Sequence, residues 1–226
     1  PLYLTKTLGS EGFVPGMEIA QTVCQCCRTD LYVDPKGKMH IAYRGIFNDS
    51  IRDIAHITSI NNGSEFSPPT RISDDNWIIN GCPHTGPSMT ASGADTYFTW
   101  YTAGGGTGIF STRLGEGHSD FAARTLVAAQ GIHPQTASFS DGSIVTVFEE
   151  TIGDAKANFS QIDLYYSDEV GNNHTVPISS QGTNSVFPVL ISTGAGDAML
   201  VAWTQRGEDG DEVVYQMILK SELDSL

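Results

Sequence analysis

The chain is short of positive charge. Its 226 residues carry 12 basic against 26 acidic side chains, a formal net charge of -14. Phosphate backbones and anionic bilayers are held by basic patches, so nucleic acids and membrane surfaces are disfavoured as partners. Long apolar runs are missing as well. The longest, such as Ala198 to Trp203, stay below about ten residues, too short to cross a bilayer. Helical periodicity is hard to find anywhere, and there are only four cysteines. No secretory leader is visible, but Pro1 is not a natural start, so its absence says nothing about export.

What is present fits a folded, exported β protein. Apolar residues make up 39% of the chain, enough for a sizeable core. Glycine, serine, threonine and aspartate are plentiful. Four of the nine asparagines (Asn48, Asn62, Asn158 and Asn173) open N-x-S/T sequons, which leans toward a secreted, periplasmic or cell-surface location.

Short alternating runs bounded by Gly, Asp, Asn and Pro recur along the chain and read as strands. Four of them resemble one another: KMHIAYRG from Lys38, DTYFTWYT from Asp95, SIVTVFEE from Ser143 and AMLVAWTQ from Ala198. Each leads to an aromatic, Tyr43, Trp100, Phe148 or Trp203, and these are 57, 48 and 55 residues apart. That period is the length of a four-stranded propeller blade. The expected fold is therefore all-β, a single propeller domain over 1-226 with at least four blades. The repeats fall at about 1-23 (partial), 24-81, 82-131, 132-184 and 185-226. The chain is expected to start in mid-blade. Closure of the ring could come from its own N-terminal strand, from sequence outside this chain, or from a neighbouring chain or copy that completes the terminal blades.

Between the third and fourth strands of the first full repeat runs SINNGSEFSPPTRIS. It is similar to the Asp-box hairpin, with Asn61 in the acidic place, Gly63 permitting positive φ and Phe66 as the packing aromatic. Weaker copies begin at Ser111 and Ser167, and TKTLGSEG at the N-terminus follows the same pattern.

Together with this turn, CQCCRTD, YRGIFNDSIRDI and DNWIINGCPHTGP resemble secreted bacterial sialidase-like proteins of the BNR-repeat class, closely over most of residues 22 to 120. Such rings generally have about six blades. The resemblance implies three arginines that clamp a substrate carboxylate, a tyrosine nucleophile assisted by a glutamate, and an aspartic acid/base. Of the seven arginines, Arg28, Arg44 and Arg52 are the candidates, Asp53 the acid, and Tyr101 with Glu149 the nucleophile pair. Those arginines sit in one blade, whereas a clamp normally draws them from several. A salt-bridge network of Arg44, Arg52 and Asp53 is the plainer reading. Trp77, Trp100 and Tyr101 could stack on sugar faces at the channel mouth, with His133 a further binding candidate, although core packing is the plainer role for Trp100.

The cysteines are concentrated in two places, TVCQCCRTD and NGCPHTGPS. Counting back from the strand 2 aromatics places Cys27 opposite His84 at the start of the inner strands of consecutive blades. Cys24, Cys26, Cys27 and Cys82 therefore converge near the propeller axis, with His84 beside them and His133 in the next repeat. Three outcomes stay open. Cys82 could bridge to one of the other three across blades, leaving a C-x-C or vicinal pair to close a second, strained disulfide. The thiols with His84 or His133 could hold zinc or copper. They could also remain free or bond a partner. The acidic loops at Asp74, Asp168 and Glu208 could take calcium, although none has EF-hand spacing. The functional expectation is thus a propeller that binds or hydrolyses glycans, set against a non-catalytic interaction module and a Cys/His metal-binding protein.

Overall fold

A computed structural model of the chain describes residues 1–7, 9–153 and 158–226. Leu8, inside the N-terminal TKTLGSEG copy, lies outside them. The chain is an all-β propeller built from antiparallel sheets laid side by side. A hairpin of β1 (Leu2–Leu4) and β2 (Met17–Ala20) comes first. Three four-stranded blades follow. The first contains β3 (Asp30–Val33), β4 (Met39–Arg44), β5 (Ile54–Ser59) and β6 (Thr70–Arg71). The second contains β7 (Ser88–Ser92), β8 (Asp95–Thr102), β9 (Gly108–Leu114) and β10 (Thr125–Ala128). The third contains β11 (Gly131–Ser138), β12 (Ile144–Gly153), β13 (Asn158–Ser167) and β14 (Asn173–Pro177). A three-stranded sheet of β15 (Asn184–Ser192), β16 (Ala198–Gly207) and β17 (Gly210–Leu219) ends the series, followed by one helical turn, Lys220–Leu223.

The second strands of the three four-stranded blades are buried on both faces over most of their length, and β16 is buried on the face toward the third blade. Tyr43, Trp100, Phe148 and Trp203 are all buried there. Removing such a side chain from water is worth roughly 1.5–3 kcal/mol each, so these four aromatics anchor the layers. The indole of Trp100 also needs a polar partner, and its Nε1 donates to Asp75 Oδ2 at 2.7 Å.

The β1–β2 hairpin packs Leu2, Ile19 and Ala20 against Ile41, Tyr43 and Ile57 of the first blade. Among the described residues it pairs with no strand of the last sheet. The face of that sheet turned away from the third blade is apolar and uncovered. Val189 and Ile191 of β15 and Val213, Tyr215, Met217 and Leu219 of β17 are all exposed.

The turn at 59–66 is closed by side chains. Ser59 Oγ accepts from the Gly63 amide at 3.0 Å, Asn61 Oδ1 accepts from the Glu65 amide at 3.0 Å, and Gly63 takes φ +71°. The carboxylate of Asp168 is similarly engaged, accepting from the Val170 and Asn172 amides. It serves its own hairpin there, and Asp74 pairs with Arg71. No helix among the described residues is long and apolar enough to cross a membrane.

Candidate functional site at the inner-strand rim

Strand register fixes which residues are equivalent from blade to blade. Asp30, Ser88, Gln135 and Val189 lie opposite Ala42, Thr99, Val147 and Ala202, the residues just before the four aromatics. Two residues earlier stand Arg28, Gly86, His133 and Phe187. This corrects the alignment that paired Cys27 with His84. The β3–β4 connection is longer than the tight β7–β8 turn, so counting residues back from the aromatic slips by one.

The four equivalent positions form a rim where the inner strands begin. Gly86 supplies space: a Cβ there would lie 2.2 Å from the Arg28 carbonyl oxygen. With no side chain in the way, Arg28 reaches past the second blade to the third. Its Nη2 donates to the Pro134 carbonyl at 3.2 Å, and the Gln135 amide oxygen faces the same guanidinium when that amide is turned to suit the network.

His133 and Phe187 share a backbone device. Both adopt left-handed φ, 53° and 55°, each precedes a proline, and the strand register slips at each. A non-glycine residue held there is strained, so surrounding contacts must fix it. Glu149 does so for both. Its Oε2 lies 3.1 Å from His133 Nδ1 and accepts from the Phe187 amide at 3.3 Å, and Oε1 accepts from Ser160 Oγ. The Phe187 ring is 50% exposed, its centroid 5.2 Å from that of His133, and the Arg206 guanidinium lies over it at 5.5 Å. Phe187 and Arg206 were not anticipated from the sequence. The register of β15 and the paired motifs His133-Pro134 and Phe187-Pro188 carried the signal.

The sialidase-type set is not assembled. Arg44 is buried, and its three donors go to the carbonyls of Thr85 (3.1 Å), Arg52 (2.6 Å) and Tyr101 (2.7 Å). Burial draws it below the usual guanidinium range, opposed by the neighbouring Cys27 and Cys24 thiols. Asp53 is fully buried. Its carboxylate pairs with Arg71 and accepts from the Asn76 and Trp77 amides, so the ion pair expected with Arg44 and Arg52 forms with Arg71 instead. Arg52 Nε and Nη1 are buried without a partner among the described residues. Trp77 is buried under the Arg44 guanidinium and edge-on to Tyr101, which removes it from any sugar-stacking role. Tyr101 packs with Ile109, Phe148 and Tyr165, while Glu149 faces His133 and Phe187.

Immediately before Arg28 the four cysteines meet, as their placement in the sequence implies. Residues 24–27 form a turn in which the Cys27 amide donates to the Cys24 carbonyl at 3.4 Å. Cys24 Sγ lies 3.4 Å from Cys27, 3.6 Å from Cys82 and 3.7 Å from Cys26. Cys26 and Cys82 form a disulfide between blades. The remaining pair is Cys24 with Cys27, a C-x-x-C spacing, which corrects the expectation of a strained C-x-C or vicinal remainder. Burial and the hydrogen bond with Cys24 push the Cys27 thiol up to about 11, opposed by Arg44. His84, also left-handed, and His133 stand outside this cluster.

No protein-family model and no curated protein matches the chain. Solved structures do match in fold. A Dyadobacter fermentans protein of unknown function superposes with a TM-score of 0.61 at 14% identity, covering 83% of this chain and 64% of its own. The K499G mutant of the Streptococcus pneumoniae NanB sialidase gives 0.65 at 9% identity, covering 97% of this chain and 36% of that one. The GH93 α-L-arabinofuranosidase of Fusarium graminearum, in complex with arabinobiose, gives 0.57 at 10% identity, covering 97% and 85%. The chain thus spans less than two thirds of the first two of these proteins. These likenesses support a β-propeller fold of the kind found in sialidases and arabinofuranosidases.

Proposed function

We propose that this propeller is exported and binds glycans at the inner-strand rim, without the carboxylate-clamp chemistry of a sialidase. The observation that carries the reading is Phe187, a half-exposed aromatic held in strained backbone beside Arg206, His133 and Glu149. A sugar ring stacks on an aromatic face, and its hydroxyls need a mixed set of fixed donors and acceptors. Arg28 adds a donor from the first blade. Two of the propeller neighbours, a sialidase and an α-L-arabinofuranosidase, are glycan-acting enzymes, and the side-chain-closed turn at 59–66 supports the Asp-box reading.

The interior positions of Arg44, Asp53 and Trp77 argue against sialoside turnover by that set. The test is calorimetric titration with a panel of sialosides and arabino-oligosaccharides, alongside fluorogenic versions of both. Binding by the wild type that Phe187→Ala weakens, with no turnover, supports the proposal. Turnover of a sialoside, or binding indifferent to Phe187→Ala, overturns it.

A further inference from the structure

Arg44 raises a question that the rim does not answer. Its guanidinium is 1% exposed, yet its three hydrogen bonds end on neutral carbonyls, and among the described residues it forms no ion pair with a carboxylate. A buried charge of this kind calls for a nearby anion. The nearby Asp53 carboxylate is already taken by Arg71 and the Asn76 and Trp77 amides, and the other groups beside Arg44 that can become anionic are the thiols of Cys27 and Cys24. Both belong to a group of four sulfurs, with Cys26 and Cys82, that lie within 4.8 Å of one another.

The spacing of that group is informative. Zinc–sulfur bonds of about 2.3 Å in a tetrahedron place the sulfurs about 3.8 Å apart along each edge. The contacts of Cys24 Sγ to Cys27, Cys82 and Cys26 are 3.4, 3.6 and 3.7 Å. A turn supplies three of the sulfurs, and the fourth comes from the neighbouring blade, so all four are gathered together although Cys26 and Cys27 are adjacent in sequence.

We propose that Cys24, Cys26, Cys27 and Cys82, once reduced, form a tetrathiolate zinc site that clasps the first two blades, with Arg44 as its buried counter-ion. The Cys26–Cys82 disulfide is the oxidised state of the same site. A dithiol reductant opens it: the reductant closes to its own disulfide, and Cys26 and Cys82 together gain two electrons and two protons. Zinc then displaces one proton from each of the four thiols. The product carries a net charge of 2−, of which the guanidinium offsets one unit. His84 and His133 take no part.

The test uses the whole chain, reduced with a dithiol, desalted without oxygen and titrated with zinc against a chromophoric chelator. Cobalt(II) serves as a spectroscopic substitute. The expected result is one equivalent of zinc, an intense thiolate-to-cobalt absorption, and protection of all four thiols from alkylation counted by mass. Replacing Arg44 with Lys should keep the stoichiometry and weaken zinc by about tenfold or less, while Arg44→Met should weaken it by more, about 10–100-fold, the range for outer-shell partners. His84→Ala should bind as the wild type does. Reduced wild-type protein that takes up no zinc overturns the proposal without reference to any variant's folding. So does zinc binding that leaves two or more of the thiols open to alkylation, or that is lost in His84→Ala.

Discussion

Acid should destabilise this fold through one buried histidine. His56 of β5 and His40 of β4 face each other, Nε2 to Nδ1 at 3.1 Å, and both are 4% exposed. Phe98 and Phe121 pack edge-on against the His56 ring. Burial, with His40 and Lys38 close by, lowers His56 to about 3. Burial also lowers His40, opposed by Asp34. A histidine whose folded pKa is depressed stays neutral in the native state while the unfolded chain takes up a proton near its ordinary 6.5. Between those two values the unfolded state binds more protons, so stability rises with pH and is lost as the pH falls. From about pH 7.5 to about pH 5 the difference is roughly 2 kcal/mol for His56 alone. Urea denaturation across that range checks it in the wild type and in His56→Gln, which is weaker overall but should lose most of this slope. A wild-type stability that is flat between those pH values, or a slope unchanged in His56→Gln, would refute the reasoning.

Three further outcomes follow from side chains whose partners are known. Arg44→Met removes three hydrogen bonds to one buried and two partly buried carbonyls, each worth about 1.5–3 kcal/mol from a charged donor, and should cost roughly 3–5 kcal/mol after relaxation, read by chemical denaturation. Gly86→Ala would drive a methyl group into the Arg28 backbone. It should destabilise by about 1–3 kcal/mol and also slow alkylation-independent bridging of Cys26 to Cys82, measured as disulfide formation after dilution from reductant. Asp53→Asn keeps the shape but weakens the tie to Arg71, which is partly exposed, and should cost about 2 kcal/mol in a thermal or denaturant midpoint analysis.

The sequence announced the propeller because each blade repeats its buried aromatic at nearly fixed intervals, and burial leaves little freedom at Tyr43, Trp100, Phe148 and Trp203. The convergence of the cysteines was legible for the same reason: both clusters precede inner strands. Their pairing was not, because the choice of Cys26 as the partner of Cys82 depends on the turn at 24–27. Of the rim, Phe187 escaped notice because it is one aromatic among many until the β15–β16 register makes it equivalent to His133 and Arg28. The inward arginines misled in the opposite sense. Arg44 and Asp53 have the residue types of a substrate clamp, and only their partners, carbonyls and Arg71, show that they hold loops together. The His40–His56 contact crosses a long β4–β5 connection and is diagonal in the register, which no spacing rule reveals.

The central claim is that ligands meet the rim and not the opposite face, where a cavity of about 510 Å³ is lined by His118 together with Tyr32, Asp34 and Glu116. The histidine ring resonances of the intact protein separate the two faces, His133 reporting on the rim and His118 on the cavity. On addition of the best-binding glycan of the panel, the account predicts that the His133 signals shift and saturate while those of His118 stay in place. Shifts at His118 with His133 unmoved would contradict it.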